Sequence, residues 1–167
     1  MNHYVTSGAL RAAEVAKQGP IGVVAASQEG STDWAYNKAK GTLRAGTNKC
    51  TLFVHYSLND AGVELLLQDQ GYSKWIPFMG EADTPYTAEQ WTNGDVPGFH
   101  SVSQPRPGDV ASYARGYSDA TGHAGIVGFN SAGELGVFNA NSRIVQWSSF
   151  EKFFDGEAQR FMRYSGD

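Results

Sequence analysis

Apolar residues recur at the three- and four-residue spacing of helices in the first part of the chain, and at the alternating spacing of strands in the last part. Thr6 and Ser7 are suited to cap a helix over residues 9–17, and helices commonly end at sequences such as Gly19-Pro20. The apolar run 21–27 predicts a second short helix. The chain therefore opens with two predicted helices that a glycine and a proline separate.

A further helix is predicted over residues 50–61, after a polar, glycine-bearing loop at 41–49. Leu52, Phe53 and Tyr56 fall on one face of this helix, because residues three and four apart are neighbours on a helix surface. This apolar face is expected to pack on the rest of the protein. The predicted helix begins at Cys50.

Hydrophobic alternation replaces the helical spacing after residue 105. The run Asn130-Ser131-Ala132-Gly133 is typical of a hairpin turn. Strands are predicted at 110–114, 123–129, 135–140, 143–147 and 159–164. Helices followed by strands indicate the α+β class, here N-terminal helices packed on an antiparallel β-sheet, in a single domain that spans residues 1–167.

Residues 71–105 form a predicted insertion that holds four of the six prolines in the chain. Its large aromatic residues include Trp75, Phe78, Tyr86, Trp91 and Phe99. A segment with this composition is not a solvated linker, so its aromatic rings either fill a satellite core or wall a substrate groove. Tyr86 and Trp91 are the candidate substrate-binding residues, and their truncation is predicted to weaken turnover more than stability.

Composition and charge narrow the classes of function. The net charge is −4, which gives no electrostatic basis for binding nucleic acid. No apolar run approaches the length of a membrane span. The first six residues lack the basic start and apolar centre of a signal peptide, so we expect synthesis in the cytoplasm without a cleaved signal.

Cys50 is the only cysteine in the chain, so the fold has no internal disulfide. At the N-terminus of a helix, a thiol lies at the positive end of the helix dipole, which lowers its pKa and increases the thiolate fraction. This position is typical of a cysteine nucleophile. The alternative is a small buried hydrophobic residue, since free cysteines are often buried.

Four histidines are candidates for the partner of this thiol. His123 follows a glycine at the start of a predicted strand, where its ring can project toward a helix N-terminus. His55 lies about 140° around the same helix from Cys50, at ~100° per residue, and so cannot face the thiol. His3 lies in the terminus and His100 in the irregular insertion. His123 is therefore the predicted base, and these residues lack the close spacing of zinc ligands, so no metal or cofactor is predicted.

The imidazole of a Cys–His pair needs a third group that fixes its tautomer and orientation. Asn139 is the best candidate, because its strand is predicted to pair with the strand of His123. Asn141, two residues further along, has the same place in the strand alternation and is the alternative. Asp119 would take the role if it lay beside the imidazole instead. Asp109 fits a turn better.

Four short motifs, in this order, carry a resemblance to a known family. They are Asn48-Lys49-Cys50-Thr51-Leu52-Phe53-Val54, Arg106-Pro107-Gly108-Asp109-Val110, Gly122-His123-Ala124-Gly125-Ile126-Val127 and Phe138-Asn139-Ala140. The chain resembles the NlpC/P60 superfamily of papain-like cell-wall peptidases over roughly residues 34–147. The resemblance implies a papain-like core, with Cys50, His123 and Asn139 as catalytic residues and Tyr36 as a residue that lines the site.

The resemblance also implies cleavage of an amide bond in the peptide stem or crosslink of peptidoglycan. The run Lys49-Cys50-Thr51-Leu52-Phe53-Val54 departs from the family's usual Asp-Cys-Ser-Gly and is more similar to the amidase effectors of type VI secretion. That similarity implies an antibacterial toxin, secreted into the periplasm of a target bacterium, with a cognate immunity protein as a candidate partner.

Two other classes of function stay open on the sequence. A deamidase or acyltransferase toxin that acts on a protein target would use the same three residues. A non-enzymatic binding module would bury Cys50 in its core. The rate of Cys50 alkylation distinguishes a binding module from an enzyme, because an activated thiol reacts fast even below pH 7 and a structural thiol reacts slowly.

Overall fold

The computed structural model describes residues 7–68, 83–118 and 120–166. Its elements in chain order are α1 Ser7–Ser27, α2 Cys50–Asp60, α3 Ala88–Asn93, β1 Phe99–Ser101, β2 Val110–Ala114, β3 Gly122–Phe129, β4 Leu135–Ala140, β5 Val145–Ser148, α4 Phe150–Phe154 and β6 Arg160–Tyr164. All strands belong to one antiparallel sheet. The predicted α+β class is confirmed.

The predicted helix break occurs inside α1. Gly19 leaves the helical conformation, with φ 68° and ψ 168°, and Pro20 follows it. Glycine tolerates this positive φ without strain, and proline has no N–H to continue the helical bonding. The second piece of α1 buries Ile21 and Ala25 in the core, so the break turns an apolar face onto the sheet.

The sheet has the strand order β1-β6-β2-β3-β4-β5. The central hairpin of β3 and β4 closes through the predicted turn, where the N–H of Gly133 donates to the carbonyl of Asn130 at 3.0 Å. Tyr113 on β2 is the cross-strand partner of His123, and Asn139 on β4 is that of Gln146 on β5. Because β3 and β4 pair with each other, His123 and Asn139 lie on neighbouring central strands.

Side chains alternate between two core clusters, one on each face of the sheet. Val110, Ile126 and Phe138 pack with residues of α1, α2 and α3. Their neighbours in sequence, Ala111, Val127 and Val137, pack on the other face with residues of α4. Because successive strand residues point to opposite faces, a strand that is buried on both faces needs consecutive apolar residues. The sequences of β2, β3 and β4 contain such apolar runs.

The structure describes the predicted insertion from residue 83 onward, and Trp75 and Phe78 lie outside the described residues. It contains α3, which the sequence did not predict. Thr87 caps α3, because its hydroxyl accepts from the N–H of Gln90 at 3.2 Å and the Gln90 side chain accepts from the N–H of Thr87 at 2.9 Å. β1 follows and pairs with β6, so this half of the segment is integral to the fold.

Trp91 on α3 is a core residue, and its predicted place in the wall of a substrate groove is wrong. It is 1% exposed. Its ring meets Phe99 edge to face at 4.9 Å and Tyr86 at 6.5 Å. Tyr86 is half-buried against the same cluster. The reason is that α3 packs on β2 and turns the aromatic side of the segment inward.

We expect Trp91→Ala to lower the free energy of unfolding by about 3–5 kcal/mol, because truncation leaves a cavity at a fully buried site. For a chain of this size the melting temperature should fall by roughly 6–20 °C. Calorimetry on this variant and on Leu66→Ala, a control at a side chain that is 82% exposed, measures the difference. A Trp91→Ala protein with the wild-type melting temperature would contradict the assignment to the core.

Candidate active site

Cys50 is the first residue of α2, at the predicted helix start. Its side chain is buried, yet it has polar partners. The thiol is hydrogen-bonded to His123 and accepts from the backbone N–H groups of Ala124 and Thr51. A cysteine that served only as a small hydrophobic residue would not need three polar partners, so the surroundings are those of a thiolate.

Lys49, directly before Cys50, is a buried cation. Its ammonium donates to the carbonyls of Thr47 at 2.9 Å, Ala35 at 3.2 Å and Tyr36 at 3.4 Å. Burial lowers the pKa of this lysine, and a cation is disfavoured at a helix N-terminus. The three carbonyls offset these costs. Lys49 thereby ties the preceding loop to the start of α2 and fixes the backbone that carries the thiol.

His123 stands at the head of β3 and projects from the sheet between two aromatic rings. Gly122 precedes it with φ 146°, and a Cβ there would collide with the carbonyl oxygen of Tyr113, so only glycine allows this close approach to β2. The imidazole centroid lies 5.3 Å from the ring of Phe153 and 6.0 Å from that of Tyr113. These two tilted ring contacts restrict the rotation of the imidazole.

Asn139 orients the imidazole. Its Oδ1 lies 3.0 Å from His123 Nε2. Its Nδ2 donates to the carbonyls of Val137 at 3.2 Å and Gln146 at 3.3 Å, and to Ser148 Oγ at 3.3 Å. Carbonyls only accept, so the amide cannot be flipped, and Oδ1 must accept from a protonated Nε2. The other ring nitrogen, Nδ1, is left for the thiol.

The other candidates for the third residue have different roles or lie outside the described residues. Asn141 Oδ1 accepts from the N–H groups of Arg143 at 2.7 Å and Ile144 at 2.9 Å, which closes the turn between β4 and β5. Asp109 is buried and pairs with Arg163 at 2.8 Å while it caps its own turn. Asp119 is not described. Cys50, His123 and Asn139 are thus the set that the fold brings together.

The CHAP domain family matches residues 39–141, which is more than half of the chain and includes all three residues of this set. The chain belongs to the CHAP domain family. CHAP domains are typically cysteine- and histidine-dependent amidases or peptidases that act on peptidoglycan. No curated protein and no solved structure gave a match.

The family assignment confirms the coarser part of the resemblance, a domain of the papain-like cysteine peptidase and amidase kind. The matched family is CHAP, where the resemblance named NlpC/P60. The similarity to type VI secretion effectors stays a prediction. Within the described ranges, no helix has the length and apolar character needed to cross a membrane, and no three His, Cys, Asp or Glu side chains cluster as a metal site would require.

The electrostatics of the CHAP site favour an ion pair. Burial raises the pKa of the Cys50 thiol, but the facing His123 and the two backbone N–H groups lower it more, so that it lies below its ordinary value. Burial lowers the pKa of His123, but the charge of Cys50 and the bonds to Cys50 and Asn139 raise it more, so that it lies above its ordinary value. Both shifts stabilise thiolate and imidazolium together.

The remaining described histidines do not reach the thiol. His55 is 6% exposed, and its Nε2 lies 2.9 Å from Asn59 Nδ2, which donates because its Oδ1 accepts from the N–H of Leu65. Burial lowers the pKa of His55, so it is a neutral structural residue. His100 is exposed on β1, with Nδ1 2.9 Å from Ser165 Oγ. His3 lies outside the described residues.

Two cavities of the CHAP domain meet at the Cys50–His123 pair. The first, which we name the threonine cavity, has a volume of about 410 Å³ and is lined by Cys50, Leu43, Thr51, Thr84, Thr87 and Thr121, among others. The second, the tyrosine cavity, has a volume of about 250 Å³ and is lined by His123, Tyr113, Tyr117, Asn141 and Ser142, among others. Asn48, Ala120 and Gly122 line both, so the cavities form one groove.

Tyr36 and Tyr86, the other predicted substrate-binding residues, line neither cavity. Tyr36 is 38% exposed in a separate depression that shares Ser142 with the tyrosine cavity. Its backbone N–H donates to the carbonyl of Ser142, and its carbonyl accepts from Lys49, so the backbone of Tyr36 is fixed in this depression. The predicted insertion does border the cleft, but through Thr84, Pro85, Thr87 and Ala88 instead of its aromatic rings.

Sequence reasoning missed Phe153 and Asn48. Phe153 lies in Phe150-Glu151-Lys152-Phe153-Phe154, and three phenylalanines after a serine cap were a signal for a short buried helix. Asn48 lines both cavities, and its polar side chain two residues before Cys50 was the available signal. Neither position could be linked to His123 before the register was known.

We expect Asn139→Ala to lower kcat on the order of 10²-fold, less than the loss of His123, because the imidazole keeps its chemistry but loses its fixed tautomer. Asn141→Ala is the matched control, since Asn141 has the same side chain, lies two residues after Asn139 and uses that side chain to close a turn. Steady-state kinetics of both variants, with circular dichroism to check folding, measures the effect. A larger loss for Asn141→Ala than for Asn139→Ala would reassign the third residue.

Proposed function

We propose that this CHAP domain is a peptidoglycan amidase or endopeptidase that cleaves an amide bond in the peptide stem or crosslink. The observation that carries the proposal is the hydrogen-bonded series from Cys50 through His123 to Asn139 at the centre of a groove. It occurs in a family whose domains typically act on peptidoglycan. The required chemistry needs no group beyond these side chains, backbone N–H groups and water.

In the first half of the reaction, the Cys50 thiolate attacks the carbonyl carbon of the substrate amide, and a C–S bond forms. The oxygen becomes an oxyanion, which the N–H of Cys50 in the first turn of α2 stabilises. The His123 imidazolium gives its proton to the amide nitrogen as the C–N bond breaks. An amine leaves, and a thioester stays on Cys50 beside a neutral imidazole.

In the second half, the neutral imidazole takes a proton from water, and the resulting hydroxide equivalent attacks the thioester carbon. The C–S bond breaks, the carboxylic acid product leaves, and the thiolate–imidazolium pair is restored. Asn139 accepts from His123 Nε2 throughout, so the nitrogen that faces the thiol is the one that exchanges the proton.

Digestion of purified sacculi tests the proposal. Mass analysis of the soluble fragments should show new amine and carboxylic acid ends at one kind of amide bond. The matched control is the same protein after Cys50 is alkylated with iodoacetamide, and it should release nothing. Intact sacculi after prolonged digestion with folded protein would refute the proposal and favour a deamidase or acyltransferase that acts on proteins.

An antibacterial effector role is part of the proposal, and the run Lys49-Cys50-Thr51-Leu52-Phe53-Val54 supports it. The protein would act in the periplasm of a target bacterium and be neutralised in the producer by a cognate immunity protein. Expression with an added periplasmic signal should lyse a test bacterium, whereas cytoplasmic expression and periplasmic Cys50→Ala should not. Equal growth in all three strains would remove the effector role and leave the hydrolase proposal in place.

A further inference from the structure

The water that hydrolyses the thioester must lie in the tyrosine cavity. The leaving amine departs from the side of His123, because the imidazolium gives it a proton. The water attacks the same carbon and gives a proton back to the same imidazole, so it takes the place that the amine has left. His123 lines the tyrosine cavity, and this cavity therefore holds the water.

A water held by the imidazole alone could still turn, since an ordered water usually has about three polar partners. The tyrosine cavity offers further polar side chains. Asn141 uses its Oδ1 to close the turn between β4 and β5, Ser142 is exposed, and Tyr117 is 44% exposed. Tyr113 lines the same cavity and is only 6% exposed, so its hydroxyl is the buried candidate for a second partner of the water.

Packing fixes the position of the Tyr113 ring. Tyr113 is the cross-strand partner of His123, and their ring centroids are 6.0 Å apart. The ring also meets Phe153 edge to face at 5.6 Å and lies 6.2 Å from Phe154. The phenol oxygen is thus carried by a rigid, buried ring that lies beside the general base.

The proton of the Tyr113 hydroxyl is directed to Tyr117. Arg115 Nη1 donates to Tyr117 Oη at 3.3 Å, and Arg115 is held by Glu157, whose Oε1 lies 2.7 Å from Arg115 Nε. Burial raises the pKa of Tyr113, and the hydrogen bond to Tyr117 raises it further. A bond that raises the pKa of a phenol is one that the phenol donates, because it stabilises the neutral form. The lone pairs of Tyr113 Oη are then left to accept.

The same oxygen lies within electrostatic reach of the nucleophile, since the charge of Cys50 also raises the pKa of Tyr113. Cys50 carries the thioester carbon when the water attacks. A water that gives one proton to His123 Nδ1 and directs its other proton to Tyr113 Oη has both protons engaged. Its lone pair is left for the thioester carbon.

We propose that Tyr113 is a further catalytic residue, whose hydroxyl oxygen accepts a hydrogen bond from the hydrolytic water and orients it for attack. The proposal rests on the proposed cysteine-hydrolase mechanism. As the water oxygen bonds to the thioester carbon, one proton passes to His123 and the other stays on that oxygen beside Tyr113. The C–S bond breaks, and its electron pair returns to the Cys50 sulfur.

The reagent p-nitrophenyl acetate tests the two halves of the reaction separately. It acetylates Cys50 and releases p-nitrophenolate, a leaving group that needs no proton from His123, and water then removes the acetyl group. The burst of p-nitrophenolate gives the acylation rate. Decay of the acetylated protein after removal of the reagent, followed by intact mass, gives the deacylation rate. Cys50→Ala measures acetylation at other side chains, which is subtracted.

Tyr113→Phe should deacylate about tenfold or more slowly than wild type and acylate within about threefold of the wild-type rate, because the ring stays and only the acceptor of the water is lost. Tyr164→Phe is the matched control. It removes a phenol oxygen from a half-buried ring on β6 that packs on Phe99 at 5.5 Å, so both of its rates should equal those of wild type. Melting temperatures of the two variants check that the fold is kept.

Two kinetic results would overturn the proposal. Equal deacylation rates of wild type and Tyr113→Phe would show that the hydroxyl does not orient the water. Equal slowing of acylation and deacylation would show that Tyr113 acts on Cys50 or on the packing of the site instead. A wild-type protein that takes up no acetyl group at Cys50 would also overturn it, because no thioester would form for the water to attack.

The acetylation experiment and the sacculus digestion fail separately. The acetyl group has no side chain, so its removal reports on the water site whether or not sacculi are cut. Intact sacculi with slow deacylation of Tyr113→Phe would leave the water site in place and overturn only the peptidoglycan substrate. Cut sacculi with equal deacylation rates would leave the proposed function in place and overturn the role of Tyr113.

Discussion

Cys50→Ala is expected to abolish amide hydrolysis, with a loss on the order of 10⁴-fold or more, because the thioester can no longer form. The fold should persist, since the side chain is small and α2 keeps its other buried residues, among them Leu52, Phe53 and Leu58. Release of fragments from sacculi and thermal unfolding measure the two properties on the same preparation.

Cys50→Ser is the matched control for this prediction. Its hydroxyl occupies nearly the same volume and can keep the hydrogen bond to His123, but its pKa is far above that of a thiol. It should be folded and inactive, which separates nucleophilicity from packing. A Cys50→Ala protein that releases fragments at the wild-type rate would end the cysteine-hydrolase interpretation.

His123→Ala is expected to be nearly as damaging, also with a loss on the order of 10⁴-fold, because members of a catalytic unit act together. It removes both the cation that favours the thiolate and the acid that protonates the leaving amine. His55→Ala is the control. It removes a buried imidazole that has no bond to the thiol, so it should reduce stability and leave the activity per folded molecule close to wild type.

The pH dependence of thiol alkylation checks the same prediction. Because the pKa of Cys50 is lowered and that of His123 is raised, both shifts extend the pH range in which thiolate and imidazolium coexist, and the thiolate is lost by protonation as the pH falls through the lowered pKa of Cys50. Alkylation by iodoacetamide should therefore stay fast below pH 7. In His123→Ala the burial of the thiol acts unopposed by the imidazolium, and alkylation below pH 7 should become slow. Fast alkylation of His123→Ala at pH 6 would show that the imidazole does not activate Cys50.

Local patterns in the sequence predicted the parts of the site that depend on one element or one hairpin. The start of α2 at Cys50 follows from a polar loop before an apolar helical face. The choice of His123 over His55 follows from helix geometry, and the pairing of Asn139 with His123 from a turn that closes the β3–β4 hairpin. Each inference needs only residues that are close along the chain.

The sequence-based prediction for the segment around Trp91 was wrong, because a core and the wall of a groove can have the same aromatic composition. What decides between them is the face that α3 turns toward β2, and this depends on how residues far apart in sequence pack. The same applies to Tyr36, whose place in a separate depression depends on backbone bonds to Lys49 and Ser142. Short elements such as β1, α3 and α4 are also difficult to predict, since they span too few residues to show a hydrophobic period.

By itself, the sequence determined the α+β class and placed a cysteine at a helix start, a histidine at a strand start and an asparagine on the next strand, because local propensity and spacing carry that information. Only the tertiary structure decided that Asn139 Nδ2 is held by two carbonyls, so that Oδ1 must face His123. Only the tertiary structure placed Phe153 against the imidazole and divided the groove between Cys50 and His123. Those features depend on contacts between distant parts of the chain, and the packing of both sheet faces sets such contacts.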